Sequence, residues 1–174
     1  MNVNLRSLIG RLNHPTRNAV EAAAGLCLSR THYDVEIEHY LLKLLDAGDT
    51  DLSILVKHYG LNRSRLAGDL TASLDGLKSG NARTPALSPS LVKMLSEAWS
   101  LGSLEYGATQ IRSGHTILAL VASEELSRML RGISGEFERI AAEDLRKNFE
   151  SLLEGSAEDG GTAAAPAEGA SPGQ

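Results

Sequence analysis

Five side chains within eight residues, His32, Asp34, Glu36, Glu38 and His39, are the densest group in this chain that could do chemistry. Imidazole and carboxylate together suit zinc or iron, so one reading is a small metal-dependent hydrolase using His32, Asp34, Glu36 and His39. The spacing argues against it. His39 is followed by Tyr-Leu-Leu and has no second histidine four residues on, so no helical face carries a ligand pair. The acids instead stand ahead of an apolar run, where carboxylates favour the positive end of a helix. A matching His115 in a second copy of the pattern points to an imidazole that packs and hydrogen-bonds within the fold. No metal ligand and no catalytic residue is expected.

Other catalytic signatures are missing from the sequence. A phosphate-binding loop needs Gly-Lys before Ser or Thr, and no Gly-Lys pair occurs, so ATP hydrolysis is not expected within these residues. Cys27, the single cysteine, lies in the Ala-rich stretch 21–29 and reads as a core thiol. Helical spacing with Leu95 and Gly102 turns Trp99 toward the interior.

The elements that hold these residues are helices. Apolar residues make up 42% of the 174 but aromatics only 4%, so Leu and Ala fill the core, which favours packed helices over a sheet sandwich. Three of the 22 acids (Glu158, Asp159, Glu168) lie in the last twenty residues, and the remainder nearly balances the 17 bases. Those bases form no block, so nucleic acid is not an expected partner. No apolar run reaches the ~20 residues of a membrane span, and the start has no export signal, so a cytoplasmic protein is expected.

The chain repeats. With His39 set on His115, an offset of 76 pairs Glu21 with Glu97, Ala22 with Ala98, Leu42 with Leu118 and Leu44 with Leu120. Ser88-Pro89 and Asn62 cap helices, Gly60 stops one, and Ser113 opens another. Leu66, Leu70, Leu74 and Leu77 line one helical face, and Phe137, Ala141, Leu145, Phe149 and Leu152 line its counterpart. No strand is expected. The division is an extra amphipathic helix (1–12), a first copy (13–78), a connector (79–87), a second copy (88–154) and a disordered Gly/Ala/Pro linker (155–174).

Residues 21–45 resemble the Clp/Hsp100 amino-terminal domain, whose signature is a helix, a turn, then Glu-His followed by leucines, present twice. Glu38-His39-Tyr40-Leu41-Leu42 carries it in the first copy, and Gly114-His115-Thr116-Ile117-Leu118 is a second copy that has lost the Glu. The match covers residues 10–153 and implies an all-α fold of two pseudo-symmetric four-helix Clp repeats. Within the family, residues 26–33 and the leading segment 5–12 are most similar to the ClpV branch, the chaperones of bacterial type VI secretion. That resemblance implies a hexameric parent with two ATPase modules beyond residue 174, which hold the ATP and magnesium, and an isolated domain that is monomeric and carries no cofactor. It further implies that the domain recognises an amphipathic helix near the start of the large sheath subunit during sheath disassembly. The rival within the family is the amino-terminal domain of a general ClpB-, ClpC- or ClpA-like unfoldase, which takes unfolded chains or adaptors.

A helical domain with no sheet edge takes a peptide most easily as a helix laid in an apolar groove. Ala19, Ala22 and Ala23 permit close approach, Leu5, Leu8, Ile9 and Leu12 supply an opposite wall, and the connector, through Thr84 and Leu87, closes one end.

Overall fold

The computed structural model describes residues 4–159, and the fold is all-α. Asn4 caps α1 (Leu5–Arg11), and Asn13 caps α2 (His14–Ser29) through a bond from the Thr16 N–H, with Pro15 in the first turn. The first copy continues with α3 (Ile37–Asp46), α4 (Asp51–His58) and α5 (Arg63–Asp75). The second holds α6 (Pro89–Tyr106), α7 (Ser113–Ala122), α8 (Glu124–Ile133) and α9 (Ala142–Leu152). Helix α2 packs on α3 and α6 on α7, the same pairing in each copy, while α4 packs across on α7.

The copies meet through their equivalent residues. Tyr40 and Thr116, 76 positions apart, lie 2.8 Å oxygen to oxygen. The Thr116 hydroxyl donates to the Ser113 carbonyl, so Tyr40 is the donor in the bond between copies. Every residue from Ser113 to Leu120 is buried, which makes α7 the centre of the core. Among the described residues no helix is long and apolar enough to cross a membrane.

The structure corrects the sequence in four places. Two short parallel strands exist, β1 (Asp34–Val35) and β2 (Ala86–Leu87), and a further bridge joins Leu12 to Ile111. Val35 is fully buried, and its carbonyl needs a partner, which the Ser88 N–H supplies at 3.0 Å. The stripe from Phe137 to Leu152 is not one helix. A 3-10 turn (Gly135–Arg139) seats Phe137, Ile140 adopts extended backbone, and only then does α9 begin, leaving Ala141 exposed. The cap of α7 is Arg112, with Ser113 as first helical residue.

The fourth correction concerns the tail. The linker was expected from Gly155, yet Ser156 and Glu158 are buried against the fold. Composition hid this because one carboxylate does the anchoring. Glu158 accepts from the backbone N–H of Asp51 (2.6 Å) and of Ser113 (2.8 Å), the first residues of α4 and α7, and from Asn13 Nδ2 at 3.0 Å and the Ser113 hydroxyl. Two buried helix starts leave donors that water does not reach, and a single anion satisfies both. Residues 160–174, the rest of the expected linker, lie outside the described residues, as do 1–3 of the extra helix.

Candidate functional site

The polar cluster of the first copy is a structural device. Residue His39 sits at the third position of α3, and its Nδ1 accepts from the Glu36 N–H at 2.9 Å. An accepting Nδ1 places the proton on Nε2, which then donates to His32 Nδ1, also at 2.9 Å. Both rings are buried and neutral. Burial, then the neighbouring His32 and Arg30, pull the His39 pKa down to about 4. With its nitrogens committed, His39 has no lone pair for a cation, and among the described residues no group of three or more His, Cys, Asp or Glu could hold a metal ion. Cys27 is buried, and desolvation pushes its thiol pKa up, which suppresses the reactive thiolate. Trp99 is half-buried, with the Arg11 guanidinium 4.5 Å above its ring.

In the second copy the same cap recurs, His115 Nδ1 accepting from the Arg112 N–H at 3.2 Å. Where the first copy has Glu38, bonded by Ser73 at 2.7 Å, the second has Gly114. A Cβ there would lie 2.7 Å from Leu153, 2.9 Å from Asp51 and 3.0 Å from Phe149. The end of α9 and Asp51 of α4 leave no room there for a side chain. Gly114→Ala is therefore expected to destabilise the domain by roughly 1–3 kcal/mol, the usual cost of overpacking a core; a urea midpoint equal to that of the unmodified chain would show that the end of α9 gives way freely. Beside it, Arg112 grips Asp51 with Nε at 2.7 Å and Nη2 at 2.9 Å, and reaches Asp159 at 3.2 Å. This network joins α4, α7 and the tail, and every part of it is structural.

The outer surface of α2 is open to solvent. Asn18, Glu21, Ala22, Gly25 and Ser29 are exposed there, and their small side chains leave the helix open to close approach. The structure separates the residues nominated from sequence. Leu8, Leu12, Ala19 and Ala23 are buried, and of these only Ala19 reaches a cleft. Ala22 opens, with Pro15, Lys43 and Ala47, into a cleft of about 340 Å³ between α2 and α3, whose floor includes Ala19.

The segment α1 lies on the other margin of α2, held there by Arg17 Nη2 bonded to the Ile9 carbonyl at 3.1 Å and by its packing on α6. Leu5 is 37% exposed and Ile9 half-buried on that side. Thr84 is exposed in the connector and Leu87 half-buried where β2 leads into α6. Residue Leu28, 56% exposed, is a large apolar side chain that the sequence reading did not nominate. It follows Arg17 by three turns and Ala24 by one on the same edge of α2, and an exposed leucine off the buried stripe was the signal.

A model of the Clp repeat (R) N-terminal domain matches residues 11–133. The AAA+ ATPase ClpV1 of Pseudomonas aeruginosa is 33% identical over 154 residues, covering 88% of this chain and 17% of that protein. The chaperone protein ClpB of Yersinia enterocolitica is 30% identical over 158 residues, covering 91% of this chain and 18% of its own length. The chain thus spans less than a fifth of either relative. A solved complex of a ClpV N-domain with a VipB peptide superposes with a TM-score of 0.78 at 35% identity, covering 91% of this chain and 96% of that one. With the paired histidine caps, the doubled helical unit and a family match over most of the folded residues, this chain belongs to the Clp repeat N-terminal domain family.

Proposed function

We propose that this chain is the substrate-recognition domain of a ClpV-like AAA+ chaperone, a binding module that docks an amphipathic helix from the large sheath subunit of a type VI secretion system for sheath disassembly. The observation that carries it is the likeness, over nine-tenths of the chain, to a ClpV N-domain that binds a VipB peptide. In this reading ATP and magnesium belong to ATPase modules of a hexameric, cytoplasmic parent, the isolated domain is a monomer, and the repeats run 13–78 and 88–154 around the connector 79–87.

The partner's seat is the margin of α2 toward α1, where Leu5, Ile9, Ala24, Leu28 and Leu87 keep apolar surface exposed or half-exposed. Burying that surface drives docking at about 25 cal/mol per Å², and ordering the peptide offsets part of it, so affinity is roughly micromolar. The test is fluorescence anisotropy with a labelled peptide from the first residues of the large sheath subunit. Leu28→Asp and Leu5→Asp should each weaken binding by about tenfold or more, because a carboxylate is desolvated in an apolar contact. Both side chains are exposed, so the fold stays intact. Ala22→Trp, on the opposite margin, should leave affinity within about twofold. The reverse pattern moves the seat to the α2–α3 cleft, and capture of unfolded protein with no response to the sheath peptide supports the general unfoldase instead.

A further inference from the structure

The two copies differ at one place in a way that leaves a histidine N–H facing a cavity. Thr31 (φ 57°) and Gly107 (φ 63°) both turn the chain left-handed at the end of the first helix of their copy, and each is followed by an equivalent residue: His32 in the first copy, Ala108 in the second. In the first copy His32 covers the capping histidine and accepts its Nε2–H. Ala108 has no ring, and a cavity of about 520 Å³ opens there, lined by Tyr106, Ala108, His115, Phe149, Glu150 and Glu154 among others.

The capping ring of the second copy is held rigidly beside that space. One face of His115 lies against α6 at Gly102, where a Cβ would come within 2.8 Å of the ring. Its other neighbour is Phe149, stacked at 5.0 Å and 9°. Since Nδ1 is committed to the Arg112 N–H, Nε2 carries the proton. His115 is 1% exposed and borders the cavity, and no acceptor for its Nε2–H occurs among the described residues, so that N–H is met from the cavity side. Water takes this donor while the cavity is empty, and a ligand acceptor held in the same place replaces that water.

The rim chooses the kind of acceptor. Glu150 and Glu154 border the cavity, and Arg112 is engaged by Asp51 and Asp159, so a carboxylate or phosphate meets repulsion there. A neutral acceptor fits, and the first copy supplies the template. We propose that this cavity is a binding site for a histidine side chain presented by a peptide partner, its unprotonated ring nitrogen accepting from His115 Nε2–H in the place that His32 occupies in the first copy. The ring's own N–H is then left for the rim carboxylates. This site is separate from the α2 margin and does not depend on what docks there.

The probe is N-acetylhistidine methylamide, titrated at pH 8, where its ring is unprotonated, while the His115 Nε2 resonance of the 174-residue chain is followed by NMR. A saturable shift is expected. The phenylalanine counterpart, with a ring of similar shape and no acceptor, should bind roughly five- to tenfold more weakly, the cost of one unmade hydrogen bond. Ala108→His supplies the ring within the chain and should abolish the response, and Ala108→Leu should do the same by filling the space. No saturable shift with the histidine probe, equal binding of the phenylalanine probe, or an undiminished response in folded Ala108→His each overturns the proposal. The two-probe comparison stands on the unmodified chain even where a variant fails to fold.

Discussion

Glu158→Ala is expected to lower the stability of this domain by about 3–4 kcal/mol, although the residue lies in a segment whose composition suggests no structure at all. The carboxylate is buried and accepts from Asn13, from the Asp51 N–H and from both the backbone and hydroxyl of Ser113. Removing it strands these donors at the starts of α4 and α7, and alanine offers nothing in return. In a domain of this size the loss corresponds to a fall in melting temperature of roughly 10 °C. Glu154→Ala, exposed four residues earlier, should stay within about 0.5 kcal/mol. Ending the chain after Glu154 should reproduce the Glu158→Ala result, since it also removes Ser156, which donates to Asp51 at 2.6 Å. Equal melting temperatures for Glu158→Ala and Glu154→Ala would mean that the tail only rests on the fold and the two helix starts are satisfied without it.

Stability should also fall steeply in mild acid. Burial, followed by nearby positive charge, brings the pKa of both His39 and His115 down to about 4, and that of His32 is lowered in the same way. An unfolded histidine titrates near 6.5, so between pH ~6.5 and ~4 the unfolded chain binds protons that the folded chain refuses. The contributions of His39 and His115 are therefore present above about pH 6.5 and are lost as pH drops toward 4, up to about 3 kcal/mol from each, and His32 acts in the same direction. Glu36 works in the opposite sense, because burial raises its carboxyl pKa and its protonation favours the folded state. Urea midpoints at a series of pH values measure the balance. His115→Gln should flatten the curve by one proton's worth of slope, and a midpoint that is constant from neutral pH to 4.5 would show that these rings charge without disturbing the caps.

The histidine caps show how far the sequence could be read. Equivalent placement of His39 and His115 identified them as structural, and the structure places each at the third position of its helix, accepting from the cap residue's N–H. Most of the leucine stripe of α5 was equally plain, since Leu66, Leu70 and Leu74 are all buried, while Leu77 lies past the end of the helix and is half-buried. What periodicity could not show was which apolar residues are used up inside. Leu5, Leu8, Ile9 and Leu12 form one stripe on paper, yet Leu8 and Leu12 enter the core and Leu5 does not, because only a neighbouring helix decides where a short stripe is covered. The same limit applies to Ala22 and Ala23, adjacent in sequence but set about 100° apart around α2, one in a cleft and the other in the core.

By itself the sequence determined the helical class, the doubled unit and its two capping histidines, and the family, because these rest on local periodicity and on short motifs whose physics is complete within a few residues. Only the tertiary structure decided that Glu158 closes the fold, that α9 and Asp51 leave no room for a side chain at Gly114, and that Ala108 leaves a cavity beside His115. Each of these depends on groups from distant parts of the chain meeting in one buried place. Partners 45 to 145 residues apart, as Glu158 has in Ser113 and Asn13, leave no trace in a window of sequence.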